Sequence, residues 1–260
     1  MSMIPSMRTN TKKVTYDVLA DDVYEARLVR FIGLGIQEQP EWNGEKKSPA
    51  FKCSLQYELI GMDATGVDAE GKAVDPRPAC AFQDVYLFPG GQRGKVFDMC
   101  RALDPSVDRV PNNLDWFIDK LGAPLMVQVG HYVAKDGTKR NKVVGVSGMS
   151  ARVRNSLPAA RSELIGFDPY VESPEMMLAY SKLPKFQREM LTEAHDTKSI
   201  KLAGTEPMKQ EGGAPVASRP APTQQTASKP AVAPAEDRPF DDDIPFAPMG
   251  LQYPAILNCM

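Results

Sequence analysis

Aromatic rings and cationic side chains occur together at three places in the sequence, a combination that suits the binding of unpaired nucleic acid. Cations replace the counterions of the phosphates, and flat rings stack on bases at about 1–3 kcal/mol per base. The candidate DNA-binding residues are Trp42, Lys46, Lys47, Lys52, Phe82, Tyr86, Phe88, Arg93, Lys95, Tyr132, Lys135, Lys139, Arg140 and Lys142. These residues predict a surface of rings and positive charge.

Each cluster also has an ordinary structural explanation. Phe82, Tyr86 and Phe88, taken singly, are more typical of a buried core than of a base-stacking platform. The lysines around the Asp-Gly pair that ends at Gly137 are typical of a solvated turn. Phe51 and Tyr57 share an apolar face with Leu55 and are assigned to the core. The interpretation as a binding surface therefore depends on where the surrounding elements place these side chains.

Residue types that carry catalysis or hold metals are sparse. The sequence has no glycine-rich phosphate loop followed by Lys and Ser or Thr, and no Gly-x-Ser-x-Gly motif. Only two histidines, His131 and His195, are present, and the four cysteines form no Cys-x-x-Cys pair. We therefore expect no enzyme, no metal site and no cofactor, and free thiols in a reducing cytoplasm.

The bulk charge is nearly balanced, with 31 basic and 33 acidic residues, but it is unevenly distributed. Acidic residues exceed basic ones in 203–260, whereas 1–202 is close to neutral. Overall acidity thus does not exclude a nucleic-acid partner, and any cationic footprint must be local. Neither a secretory signal nor a run of apolar residues long enough to span a membrane is expected.

The periodicity from residue 21 to residue 150 predicts five strands and two helices. Strands are expected at 23–37, 51–59, 80–88, from 125 and at 142–149, with helices at 96–103 and 114–121 between the third and fourth strands. Gly33 and Gly35 predict a bend in the long first strand. Three strands, a helical segment and a hairpin are the element order of an OB-fold, a five-stranded barrel that often binds oligonucleotides.

The rest of the chain is divided by composition. Residues 1–20 are expected to form an irregular arm, 61–78 a loop, and 151–202 a helical appendage with helices starting near Pro174 and Pro184. Residues 203–235 lack aromatic residues and are rich in Pro and Ala, so they predict a disordered linker. Residues 236–260 form a tail.

The tail contains a short acidic and apolar motif. Asp241, Asp242 and Asp243 precede Ile244-Pro245-Phe246, after further acidic residues at 236–237. From the residues alone, this segment is either a partner-binding motif on a leash or a solvated acidic tail.

The order Asp-Asp-Asp-Ile-Pro-Phe resembles the acidic tip of bacterial and phage single-stranded DNA-binding proteins. The resemblance covers six residues and the proline-rich linker that precedes them; unlike the tip of that family, the motif here is followed by Ala247 to Met260. It implies an OB domain that coats single-stranded DNA and a tail, Asp241 to Phe246, that recruits replication and repair enzymes. It also implies a phage-encoded protein acting in the host cytoplasm.

Three functions stay open on the sequence. The first is a coating protein whose tail competes with DNA for the cationic surface, so that deleting 236–260 would tighten DNA binding at low salt. The second is a recombination mediator or strand-annealing accessory, and the third is an adaptor whose barrel binds protein. The oligomeric state is also open, and the protein could be a homo-oligomer.

Overall fold

The computed structural model describes residues 14–41, 43–134 and 137–205, all within one compact unit that is mainly β. The strands are β1 Thr15–Tyr16, β2 Asp22–Gln37, β3 Ala50–Ala64, β4 Gly66–Val67, β5 Arg77–Leu87, β6 Pro124–Val133, β7 Lys139–Ser147 and β8 Ile165–Phe167. The α-helices are α1 Lys95–Leu103, α2 Asp115–Asp119, α3 Ala151–Ser156, α4 Pro174–Ser181 and α5 Lys185–Glu193, and a 3₁₀ turn spans Thr197–Ser199.

The long strand β2 is the centre of the main sheet. The order is β5-β3-β2-β6-β7 with antiparallel neighbours, and β8 adds to β2 in parallel. No sheet of the described residues closes into a hydrogen-bonded barrel, although Cα atoms of the edge strands β5 and β7 approach within 8 Å. The five strands and two intervening helices predicted over 23–149 are all present, with shifted ends.

The bend predicted at the glycines of β2 is confirmed. The register of β2 against β3 shifts between Gly33 and Ile36, and Gly35 adopts a positive φ of 73°. That conformation strains a residue with a Cβ, so Gly is the natural choice there. Beyond the bend, Ile36 and Gln37 pair again with β3, so the strand stays in the main sheet.

The main core lies between the inward faces of the strands and the two helices that follow β5. In β3 the predicted alternation is confirmed, since Cys53, Leu55, Tyr57 and Leu59 are all buried. Phe117 of α2 stacks on Phe31 of β2, with ring centroids 4.8 Å apart. Stacked ring pairs of this kind add to the hydrophobic stabilisation of a core.

The appendage packs on the second half of β2. β6 pairs with β2 only as far as Arg27, and β8 continues along the vacated edge by pairing with Arg30 to Ile32. Further along, the amide of Ile36 donates to Asp196 Oδ1 at 2.8 Å, and His195 donates its amide to the Ile36 carbonyl at 2.9 Å. The appendage thus supplies hydrogen-bond partners that the edge of β2 would otherwise lack.

A second apolar core joins β2 to the appendage. Ile32 and Leu34 of β2 pack there with Phe167 of β8, Tyr180 of α4 and Leu191 of α5, all of them buried. The two predicted helices of the appendage are confirmed, and the Ser173 hydroxyl accepts from the amide of Met176 at 3.2 Å at the start of α4. Burying these side chains holds the appendage against β2.

A buried carboxylate fixes the segment that leads into the appendage. Glu58 of β3 is buried and accepts hydrogen bonds from the amides of Arg161, at 2.8 Å, and Ser162, at 2.6 Å. Burial alone would raise the pKa of Glu58, but hydrogen bonds from Ser162 and Arg161 outweigh it and hold the pKa below its usual value. Arg27 holds the preceding residues by donating to the carbonyls of Leu157 and Pro158.

Three parts of the sequence-based prediction were wrong in detail. The expected loop over 61–78 is strand at both ends, because β3 runs to Ala64 and β5 starts at Arg77. The expected irregular arm over 1–20 includes β1, which pairs with β4. Neither β8 nor α3 was predicted. In the described ranges no helix is long and apolar enough to cross a membrane.

Candidate nucleic-acid interface

Two phenylalanines are exposed at the outward side of β5, Phe82 within the strand and Phe88 directly after it. Val85 and Leu87 point into the core, whereas the rings of Phe82 and Phe88 are 62% and 54% exposed. The register explains this arrangement, since Phe82 lies opposite Gln56 on the outer face of β3. Neither ring therefore belongs to the buried core, which leaves the faces of both available for stacking.

Tyr86 is held more firmly than the two phenylalanines. It lies between them in the chain, on the same face of β5 as Phe82, and is partly buried. Its hydroxyl donates to the carbonyl of Glu38 at 2.6 Å, which ties β5 to the loop between β2 and β3. The ring is thereby fixed beside the cationic residues that follow β5.

A groove of about 390 Å³ lies between the end of β5 and the start of α1, and we call it the β5–α1 groove. Its floor is apolar, and its rim carries Arg93 and Lys95, both exposed. The groove is lined by Gln39, Asp84, Val85, Tyr86, Phe88, Gly91, Arg93, Gly94, Lys95, Val96 and Val110. Rings, apolar floor and cations thus meet in one concave site, the setting in which ligands bind.

Backbone hydrogen bonds shape the wall of this groove. Gly90 donates to the carbonyl of Val110, and Val110 donates to the carbonyl of Gly91, each at 2.8 Å. These bonds fold the segment after β5 back onto the loop before α2. Gly90 has a φ of 78°, which favours glycine at this turn. The turn places Arg93 and Lys95 beside Phe88.

Lys52 lies on the expected face, but it is paired with a carboxylate. Its Nζ is 2.9 Å from Asp84 Oδ2, and its side chain is only 16% exposed, compared with 51% for Asp84. The two residues are diagonal neighbours across β3 and β5. Because this pair holds the ammonium group, a phosphate would have to compete with Asp84 for it.

The third cluster lies on the β6–β7 hairpin, separate in the chain from the groove. Tyr132 is exposed and pairs with Arg140, Lys139 lies opposite Val133, and Lys142 lies opposite Gly130. Val133 and Val144 are exposed on the same hairpin. The hairpin thus presents a ring, cations and apolar surface to solvent.

The remaining predicted residues are placed only in part. Lys46 and Lys47 are exposed in the loop between β2 and β3. Trp42, Lys135 and the whole tail motif from Asp241 to Phe246 lie outside the described residues, as do most of the predicted linker and the start of the arm.

Of the eleven residues that line the groove, the sequence analysis named four as binding residues, and Gln39, Asp84 and Val110 are among the seven that it missed. Asp84 had a usable signal, because it alternates with Phe82 and Tyr86 and therefore shares their face. Gln39 and Val110 had none, since they come from loops far from β5 in the chain.

One thiol near this face has a shifted pKa. Burial raises the pKa of the Cys80 thiol, which lies further along the outer side of β5. Over the described stretches, no group of three His, Cys, Asp or Glu side chains could hold a metal ion.

Comparison with known proteins gives no match: no family model, no curated protein and no solved structure matches this chain.

Proposed function

We propose that this protein binds and coats single-stranded DNA during replication, recombination or repair. The observation that carries the proposal is that Phe82 on the outward face of β5 and Phe88 just after the strand are both exposed, and that Phe88 shares the β5–α1 groove with Arg93 and Lys95. Exposed rings on a strand are costly to leave in water, and together with cations they fit the bases and phosphates of an unpaired strand.

The proposal includes an OB-type barrel over about 21–150. Its support is the chain order of three long strands, a helical segment and a hairpin, together with the approach of β5 to β7. In such a module, the second and third strands and the loops after the first and fourth strands form the binding surface. The corresponding elements here are β3, β5, the loop between β2 and β3, and the β6–β7 hairpin.

Binding would combine two contributions. Bases stack on Phe82, Phe88 and Tyr132, while Arg93 and Lys95 replace counterions of the phosphates. Both contributions tolerate most sequences, which suits a coating protein. The tail motif at 241–246 would recruit partner enzymes, a role that rests on the sequence resemblance alone.

Titration of the full chain with a labelled oligo-dT and with duplex DNA of the same length tests the proposal. We expect tighter binding to the single strand, and an affinity that falls as salt rises from about 50 to 200 mM. Equal affinity for duplex, or no salt-dependent binding at all, would contradict it. Adding complementary oligonucleotides to the same mixture identifies an annealing protein instead, because such a protein would accelerate pairing.

A second candidate function is that of a protein-binding adaptor. The exposed apolar side chains of Met177 and Leu178 on α4 and Phe186 on α5 favour it. This candidate predicts that an oligonucleotide would fail to bind at any salt concentration.

A further inference from the structure

A carboxylate such as that of Asp84 is unexpected on a surface proposed to bind phosphates. It lies on the outward face of β5, between Phe82 and Tyr86, and it lines the β5–α1 groove together with Arg93 and Lys95. A bare carboxylate there would repel a nucleic-acid backbone. Its position calls for a role other than contact with phosphate.

Lys52 offsets the negative charge of Asp84 and fixes the orientation of its carboxylate. The ammonium group contacts Oδ2 of Asp84 at 2.9 Å from a largely buried position on β3. Among the hydrogen bonds and ion pairs of the described residues, this pair is the only one that involves the Asp84 side chain, so Oδ1 keeps its capacity to accept a hydrogen bond. The pair therefore presents one oriented acceptor of reduced net charge.

Gln39, which also lines the groove, offers a second hydrogen-bond acceptor. Gln39 donates its Nε2 to the carbonyl of Ser48 at 2.6 Å, so its amide oxygen is left to serve as a second acceptor. A base edge that meets these two groups must offer hydrogen-bond donors. Cytosine does so through its N4 amino group, which Asp and Glu accept, whereas thymine has a carbonyl oxygen at the same position.

The dimensions of the groove suit one base. Its volume of about 390 Å³ lies in the range of small-molecule sites. Asp84 and Tyr86 are two residues apart on one face of a strand, which separates them by roughly 7 Å. A base that stacks on Tyr86 can therefore direct its edge toward Asp84.

We propose that the β5–α1 groove is a nucleobase subsite that selects a base with an exocyclic amino group, cytosine foremost, with Asp84 as the acceptor and Lys52 as the residue that positions it. This inference rests on the proposed function and adds to it. The preference applies to one nucleotide of the bound strand, and the rest of the surface stays tolerant of sequence.

The test compares the affinity of the full chain for oligo-dC, for oligo-dT, and for an oligonucleotide with 2-pyrimidinone in place of cytosine, which lacks only the amino group. We expect the wild type to prefer oligo-dC roughly tenfold over the other two, the value of one hydrogen bond to a charged acceptor. Asp84→Ala should reduce this ratio to about one. Asp75→Ala, at an exposed aspartate outside the groove, should leave it unchanged.

Other results would overturn the inference. Equal affinity of the wild type for all three oligonucleotides would reject it and leave single-strand binding intact. If Asp84→Ala bound all three oligonucleotides more tightly by the same factor, the preference for oligo-dC would be unchanged. Asp84 would then act only as a competitor for Lys52. Absence of binding by the wild type would reject the proposed function as well. Asp84→Asn, which keeps the size of the side chain, should also lower the ratio, and circular dichroism checks that both variants fold.

Discussion

Gln56 on β3 and Phe82 on β5 lie directly opposite each other on the outer face of the sheet, and the Phe82 ring remains 62% exposed. Although Phe82 lies in the middle of a paired strand, its ring packs against little of the protein and is therefore available to stack on a base.

Replacing Phe82 with Ala should weaken binding to oligo-dT by roughly 5- to 150-fold, because one stacked base is worth about 1–3 kcal/mol. The free energy of unfolding should change little, since the ring buries little surface. Fluorescence anisotropy and urea unfolding measure the two effects. The matched control is Phe186→Ala, which removes an equally exposed ring from α5. Equal losses in both variants would contradict the placement of the surface on β5.

Neutralising Arg93 and Lys95 together should flatten the salt dependence of binding. Each phosphate contact to a single strand contributes about 0.7 to the slope of log affinity against log salt concentration. The double variant Arg93→Gln with Lys95→Gln loses two such contacts, so the magnitude of the slope should fall by about 1.4. The control is Lys185→Gln, at an exposed lysine on α5. An unchanged slope in the double variant would remove both residues from the interface.

The main sheet was predictable because its signals are local. The alternation in β3 places Cys53, Leu55 and Tyr57 on one face, and the structure buries all three. In β5 both faces are apolar, so the sequence could not decide whether Phe82 is core. The register against β3 decides it, and that register depends on residues about 25 positions away.

Contacts between distant residues were beyond sequence reasoning. β8 is only three residues long and gains its stability by pairing with Arg30 to Ile32 of β2, so it leaves no periodic signal of its own. Lys52 was predicted to be a cation for phosphate, but its pairing with Asp84 depends on the β3–β5 register. Four of the residues predicted to bind DNA line the groove, whereas the carboxylate of Asp84, which shares it, was not among the predicted residues.

Gly35 is expected to be intolerant of a side chain. It has a φ of 73°, and a Cβ there would lie 2.8 Å from both Asp196 Oδ1 and Ile200 Cδ1. Gly35→Ala should lower the free energy of unfolding by about 2–4 kcal/mol, through backbone strain and overpacking combined. Gly71→Ala, at a φ of 78° with open space around it, isolates the strain and should cost only about 1–2 kcal/mol. Equal costs in urea unfolding would argue against tight packing of the appendage on β2.

Glu58→Gln should destabilise the protein in a pH-dependent way. Since the folded pKa of Glu58 lies below its unfolded value of about 4.3, the ionised carboxylate stabilises the fold above that value, and the stabilisation is lost as pH falls through the folded pKa. We expect Glu58→Gln to lower the free energy of unfolding by roughly 1–3 kcal/mol near neutral pH and by less at about pH 3.5. Urea unfolding of both proteins at the two pH values measures this, and a loss that does not vary with pH would contradict it.

Photocrosslinking tests the central claim most directly, namely that the outward face of β5 contacts the unpaired strand. The full chain would be irradiated with an oligonucleotide that carries 5-iodouracil, and the crosslinked residues located by mass spectrometry. We predict crosslinks at Phe82, Tyr86 or Phe88, with Tyr132 as a second position. Crosslinks confined to the appendage, for example at Phe186, or none in the presence of bound DNA, would contradict the account.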